Sequence, residues 1–189
     1  MTFRQTIKKV VVGSPFEPLA RWADYALARN KNWLYDRQTI EVMRRVLRRD
    51  SWFIDVGAHK GDILRQAVGL APEGKHWAFE PLPDLCAKLK AEFTSANVFN
   101  VALSDSRGII NDFIYIPDMP ARSGMKRTPF DSGHEVKKIP VEKKTLDSII
   151  QNSRVDMIKI DVEGAELLVL TGATETISRN KPVISLSTG

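Results

Sequence analysis

Short apolar runs, each closed by glycine, proline or acidic residues and separated by amphipathic stretches, constrain this chain more than any other feature. Trp52-Phe53-Ile54-Asp55-Val56 has the make-up of a buried strand and stops at Gly57. A helical pattern follows from about Gly61 to Leu70. His76-Trp77-Ala78-Phe79 makes a second strand that ends at Glu80-Pro81, and a second helix covers Pro83 to Phe93. A third strand is expected over Val98 to Leu103, a strand-like segment over Ile109 to Ile116, a short strand over Lys137 to Val141 and a short helix over Thr145 to Ile150. Val155 to Ile160 is another strand, followed by one helix from about Glu163 to Ser178 and a last strand at Pro182 to Leu186. This alternation predicts an α/β fold with a doubly wound, mostly parallel sheet and helices on both faces. In such sheets ligands bind beyond the carboxyl ends of the strands. The residues that follow each strand are therefore where function should be sought.

The chain has 189 residues, of which 43% are hydrophobic and 27% charged. That excludes a disordered or fibrous chain and allows a core that needs no disulfide or metal. Residues 1–50 read as an N-terminal helical cap anchored by Trp22, Tyr25, Trp33 and Tyr35, and residues 51–189 as the ligand-binding domain. Residues 117–135, with Pro117, Pro120, Gly124, Pro129 and Gly133, read as a long irregular loop, a type that is often functional. A single cysteine, Cys86, supports neither an internal disulfide nor a zinc site and points to a reducing, cytoplasmic setting. No run approaches the ~18 apolar residues of a membrane span. The first residues lack the long apolar segment of a secretory signal.

The net charge of +5 is uneven: residues 1–50 hold 11 Lys+Arg and 5 Asp+Glu, the remainder 17 and 18. Arg44, Arg45, Arg48 and Arg49 recur at helical spacing opposite Met43 and Leu47. A solvated helix face explains them, and so would an anionic partner. Without aromatic interleaving or a nucleic-acid motif, a nucleic-acid partner is disfavoured.

The polar residues after each strand form a constellation. Asp55-Val56-Gly57-Ala58-His59-Lys60-Gly61 places two glycines four apart, which permits a tight turn and close approach to a ligand. The pattern is not the G-x-G-x-x-G of dinucleotide binders, so a nicotinamide-dependent oxidoreductase is poorly supported. A loop that opens with Asp55 suits a ligand with a positive centre, although a plain strand–helix turn has the same composition. Glu80, at the end of the second strand, has two acceptor oxygens for the paired hydroxyls of a ribose. A carboxylate favoured at a helix start is the alternative. Ser104-Asp105 after the third strand either bonds an adenine edge or simply turns into Gly108. Asp161 ends the fourth strand, and Glu163 and Glu166 follow on the opening turn of a helix. The helix dipole alone accounts for those two, and without a nearby histidine no metal site is expected.

Taken in order, these blocks resemble the FkbM-type methyltransferases, a family of S-adenosylmethionine-dependent enzymes with the Rossmann-like class I fold. The resemblance covers about residues 50–186. It rests on Phe53-Ile54-Asp55-Val56-Gly57-Ala58-His59-Lys60-Gly61, Phe79-Glu80-Pro81-Leu82-Pro83 and Val101-Ala102-Leu103-Ser104-Asp105. Thr145-Leu146-Asp147, Ile158-Lys159-Ile160-Asp161-Val162-Glu163-Gly164-Ala165-Glu166 and Leu170-Thr171-Gly172-Ala173 complete it.

The resemblance implies S-adenosyl-L-methionine as the cofactor, with Asp55, Gly57, Ala58, His59 and Gly61 around its methionine part. It implies Glu80 and Pro81 at the ribose, and Ser104 and Asp105 near the adenine. Asp161 and Glu163 would border the meeting point of acceptor and methyl donor. The family commonly has Asn where this chain has His59, which changes contacts near the sulfonium. The implied reaction is O-methylation of a hydroxyl on a small molecule, a sugar or glycan, or a natural product. Asp161 is the first candidate general base, followed by Glu163, His59 and His134. The 117–135 loop would form an acceptor lid, and its Arg122, Lys126 and Arg127 would suit an acidic or phosphorylated acceptor. Class I methyltransferases usually continue past the fifth strand into a further helix and an antiparallel strand pair, whereas this chain stops at Ser187-Thr188-Gly189. The expectation is a sheet truncated after its fifth strand, with a non-catalytic ligand-binding or interaction protein as the alternative function.

Overall fold

A computed structural model describes residues 35–120, 123–124 and 134–187. The chain divides into two compact units, Met1–Gln38 and Thr39–Gly189, and the second carries the sheets. Trp22, Tyr25 and Trp33 lie outside the described residues, as do Arg122, Lys126 and Arg127 of the 117–135 loop. Tyr35, expected as a packing anchor, is exposed instead; it opens helix α1, over residues 35–46, on a side that meets solvent.

The strands of the main sheet are short and apolar because helices cover both faces. β1 (Phe53–Val56), β2 (His76–Phe79) and β7 (Met157–Ile160) are buried along their whole length. With β3 (Asn97–Phe99) and β8 (Val183–Leu186) they form a parallel sheet in the order β3-β2-β1-β7-β8. Val56 is level with Phe79 on one side and Ile160 on the other, so three carboxyl ends open at the same height. The strand order reverses at β1, and the crevice there is the topological switch point of a doubly wound sheet.

Side chains alternate between the two faces of each strand. Ile54, Val56, Phe79, Ile158 and Ile160 join Leu146 and Ile150 of α4 (Leu146–Ile150) and Val169 of α5 (Glu166–Thr171) in one core. On the opposite face Phe53 and Met157 pack with Met43, Leu47, Ile63 and Ala67, which ties residues 39–47 to α2 (Asp62–Leu70) and the sheet. Ala78 packs there with Leu64 and with Leu89 of α3 (Pro83–Glu92). On that face Asp55, Lys159 and Ser185 are register partners on adjacent strands, a polar row through an apolar layer.

A second sheet, in the order β4-β6-β5, joins β4 (Ala102–Leu103), β6 (Lys137–Lys144) and β5 (Gly108–Tyr115). Phe113 and Val141 seat it against Leu82 and Leu85. The expected single strand over Val98 to Leu103 is thus two strands in two sheets. Asn100 separates them by donating from Nδ2 to the carbonyls of Glu80 and Pro81, both at 2.9 Å.

The expected helix over Glu163 to Ser178 is likewise two, α5 and α6 (Thr174–Asn180). The break at Gly172 has a packing cause: a Cβ there would lie 2.0 Å from the carbonyl oxygen of Ser104. The basic residues of α1 and its exit are exposed and partly neutralised, Arg45 by Glu41 at 2.9 Å and Arg49 by Glu73 at 2.8 Å. Among the described residues, no helix is long and apolar enough to cross a membrane.

Candidate active-site cleft at the strand ends

The carboxyl ends of β1, β2 and β7 frame an open cleft, at the place where open α/β sheets bind ligands. Gly57, His59, Glu80, Pro81, Asp161 and Glu163 line it, so six residues singled out from the sequence converge on one space.

Gly57 is required where it stands. Its φ is +75° and a Cβ would fall 2.0 Å from the carbonyl oxygen of Asp161, so only glycine lets the turn after β1 pass the tip of β7. Gly61 is left-handed for another reason. A Cβ there would meet the Phe93 ring at 2.6 Å and Leu89 at 2.7 Å, so this glycine seats α2 against α3 rather than admitting a ligand. Ala58 also faces that packing, with Leu64, Leu89 and Phe93, and neither residue lines the cleft.

Asp55 sits inside the layer rather than on the cleft surface, fully buried under the helices. Its register partner Lys159 brings Nζ to 3.1 Å from Oδ1. Burial raises the Asp55 pKa, and the Lys159 ammonium opposes that rise. The same ammonium donates to the carbonyl of Gly57 at 2.9 Å and lies 3.9 Å from Oδ2 of Asp161. Lys159 is a buried charge beside the cleft that sequence reasoning passed over. Its signal was a charge inside Met157-Ile158-Lys159-Ile160, a run apolar enough to read as strand interior.

Glu80 follows the end of β2 and lines the cleft. It is 4% exposed, with Oε2 accepting from the His59 N–H at 2.8 Å and Oε1 from the Leu82 N–H at 2.9 Å. Each oxygen keeps a further acceptor site. Desolvation raises its pKa, and the two backbone donors pull it back in part. His59 holds an unusual backbone for a non-glycine residue, φ +49°, and burial lowers its imidazole pKa. The neutral ring is therefore favoured at the cleft wall.

Asp161 and Glu163 both reach the cleft. The Asp161 side chain is 42% exposed, and Glu163 has a left-handed backbone with φ +47°. Glu166 turns back instead, accepting from the Gly164 N–H at 2.9 Å. Ser104 and Asp105 lie outside the cleft. Ser104 is buried with its carbonyl against Gly172, and the exposed Asp105 carboxylate accepts from Ser106 Oγ at 2.8 Å. The apolar wall next to Glu80 is built by Leu82, Val101, Ala102 and Leu103 instead. His134 is also outside, paired through Nδ1 with Asp118 Oδ2. From the 117–135 loop Pro120, Ser123 and Gly124 contribute, the last held by a two-way backbone bridge to Ile114.

The chain is thus a Rossmann-like α/β domain with carboxylates gathered at its switch point, where sheets of this kind bind ligands. Residues 55–187 match the family described as the methyltransferase FkbM domain, and the chain belongs to that family. It is 27% identical over 161 residues to the 2-O-methyltransferase NoeI of Sinorhizobium fredii, covering 77% of this chain and 65% of that protein. It is 27% identical over 158 residues to the methyltransferase sdnD of Sordaria araneosa, covering 66% of this chain and 61% of that protein. The chain thus spans somewhat less than two thirds of each of these relatives.

Proposed function

We propose that the protein is an S-adenosylmethionine-dependent O-methyltransferase acting on a hydroxyl of a sugar, glycan or natural-product acceptor. The observation that carries the reading is Glu80: a nearly buried carboxylate at the end of β2, pinned by two backbone N–H groups, with acceptor capacity left on both oxygens. An adenosine-bearing donor needs a paired acceptor for its ribose diol, which Glu80 offers, and an apolar slot for its base. Leu82, Val101, Ala102 and Leu103 supply that slot. Family membership and the name of the NoeI relative support the methyl-transfer and O-methyl parts of the reading.

When bound, the donor supplies a methyl group made electrophilic by its sulfonium. The chain's own task is to orient and to remove a proton. Orientation alone is worth up to roughly 7–11 kcal/mol in well-aligned reactions. Asp161, half-exposed at the tip of β7, is the candidate that takes the acceptor's proton, with Glu163 beside it to orient the hydroxyl. A base so placed contributes about 10²–10⁴-fold. His59, with its pKa lowered, remains neutral and available as a second acceptor of that proton.

The test is calorimetric titration of S-adenosylhomocysteine into the wild type, Glu80→Ala and Asp161→Ala, with NADH as the control ligand. Methyl transfer to a panel of glycosides and alcohols is assayed in parallel. Binding of S-adenosylhomocysteine but not NADH, lost in Glu80→Ala and kept in Asp161→Ala, is expected. Turnover in Asp161→Ala should fall by about 10²–10⁴-fold. A folded protein that ignores S-adenosylhomocysteine, or binds it equally without Glu80, would overturn the reading. Donor binding with no turnover on any acceptor would favour a non-catalytic binding protein.

A further inference from the structure

The polar row beneath α1 and α2 holds a lysine to which the reaction above gives no task. Lys159 is 7% exposed on a strand otherwise made of Met157, Ile158 and Ile160. A charge there is costly to bury, and an apolar residue would complete the strand at lower cost. Its ammonium faces groups from the end of β1 and from the tip of β7. These are Asp55 Oδ1 at 3.1 Å, the Gly57 carbonyl at 2.9 Å and, further off, Asp161 Oδ2 at 3.9 Å.

The Gly57 carbonyl is the significant partner. Residues 57–61 are left-handed at Gly57, His59 and Gly61, with φ +75°, +49° and +79°. The two glycines adopt it freely, but His59 holds it only where its surroundings over-determine it. Several tethers run to β2: Gly57 and Ala58 N–H to the Phe79 carbonyl at 3.0 and 3.1 Å, and His59 N–H to Glu80 at 2.8 Å. Lys159 supplies a tether to β7, whose tip carries Asp161.

Building on the reading of this cleft as the methyl-donor site, we propose that Lys159 is a positioning residue. Its ammonium holds the Gly57 carbonyl to the tip of β7 and thereby keeps the 57–61 loop in register with Glu80 and Asp161. The competing role is plain neutralisation of Asp55. The two separate in Asp55→Asn/Lys159→Met, which removes both buried charges together. Neutralisation alone predicts that this variant keeps the loop; positioning predicts that it does not.

Three quantities are measured on the wild type, Lys159→Met and the double variant: melting temperature, amide hydrogen exchange and calorimetric affinity for S-adenosylhomocysteine. The double variant is expected to melt close to the wild type. Its faster exchange should be confined to residues 57–61, and its affinity should be at least tenfold weaker. Wild-type exchange and affinity in that folded variant would overturn the proposal. Should it fail to fold, Lys159→Arg keeps the charge beside Asp55 while replacing a compact donor by a planar fork. That variant should still show faster exchange at 57–61, and unchanged exchange there would equally overturn the proposal. If the wild type ignores S-adenosylhomocysteine, the donor reading falls, while exchange at 57–61 still judges the tether.

Discussion

Glu80 stands under two opposed demands. Burial pushes its pKa up from 4.5, while the His59 and Leu82 N–H groups favour the carboxylate, and burial is the larger effect. Ligand binding and folding should therefore respond to acid with opposite signs. The ionised group accepts two hydroxyls, so affinity for S-adenosylhomocysteine should fall as pH drops through a range above the ordinary carboxylate one. For folding, a group with a raised native pKa stabilises the protein below its unfolded pKa and loses that contribution as pH rises through the native value. Titrations carried downward from neutral pH to the ordinary carboxylate range should show the affinity falling in the wild type before that range is reached, and a flat profile in Glu80→Gln. A wild-type affinity independent of pH over that titration would sink this account. The position of Glu80 was legible because an apolar run ends at it and a proline follows. The direction of Asp55 was not, since both faces of β1 are covered and period-2 alternation then marks no solvent side. Lys159 was hidden for the same reason.

At the level of elements, two of the blocks that identify the family turn out to be structural. Thr145 caps α4 through its hydroxyl, and Asp147 on α4 caps α6 from across the fold, accepting from Glu175 N–H at 3.0 Å and Thr176 N–H at 2.8 Å. That carboxylate satisfies the open end of a seven-residue helix that could not stand alone. Asp147→Ala should cost about 1–2 kcal/mol, read as a lower urea midpoint at unchanged slope. An unchanged midpoint would mean water serves the helix end as well. The break between α5 and α6 escaped the sequence because its cause is long-range: Gly172 is excluded from a larger side chain by Ser104, far away in the chain. The strand boundary at Asn100 was missed likewise, because its amide answers to carbonyls of another strand's end. Periodicity sees neighbours three or four residues away, and these contacts are not among them.

For the molecule as a whole, parallel strands and a cleft at the switch point follow from the alternation of apolar runs, and the structure agrees. The small second sheet that walls the cleft with Phe113 was read as isolated segments only, because strand pairing leaves no local signature. A ligand that binds only the folded chain stabilises it by about 2.7 kcal/mol at a hundred times its Kd. Saturating S-adenosylhomocysteine should accordingly raise Tm by roughly 5–10 °C for a domain of this size. Glu80→Ala should show no such rise, and an equal rise in that variant would place the ligand elsewhere.

The central strand β1 also carries a consequence for how the protein is made. One of its edges meets β2 early, but the other waits for β7, and the Lys159–Gly57 contact closes across 102 residues. A nascent chain emerging from the ribosome therefore presents Phe53–Val56 with one row of backbone groups unpaired until Met157–Ile160 arrives. Such an open apolar edge is a template for intermolecular pairing, so synthesis rate and chaperone access should govern soluble yield more than the stability of the finished fold.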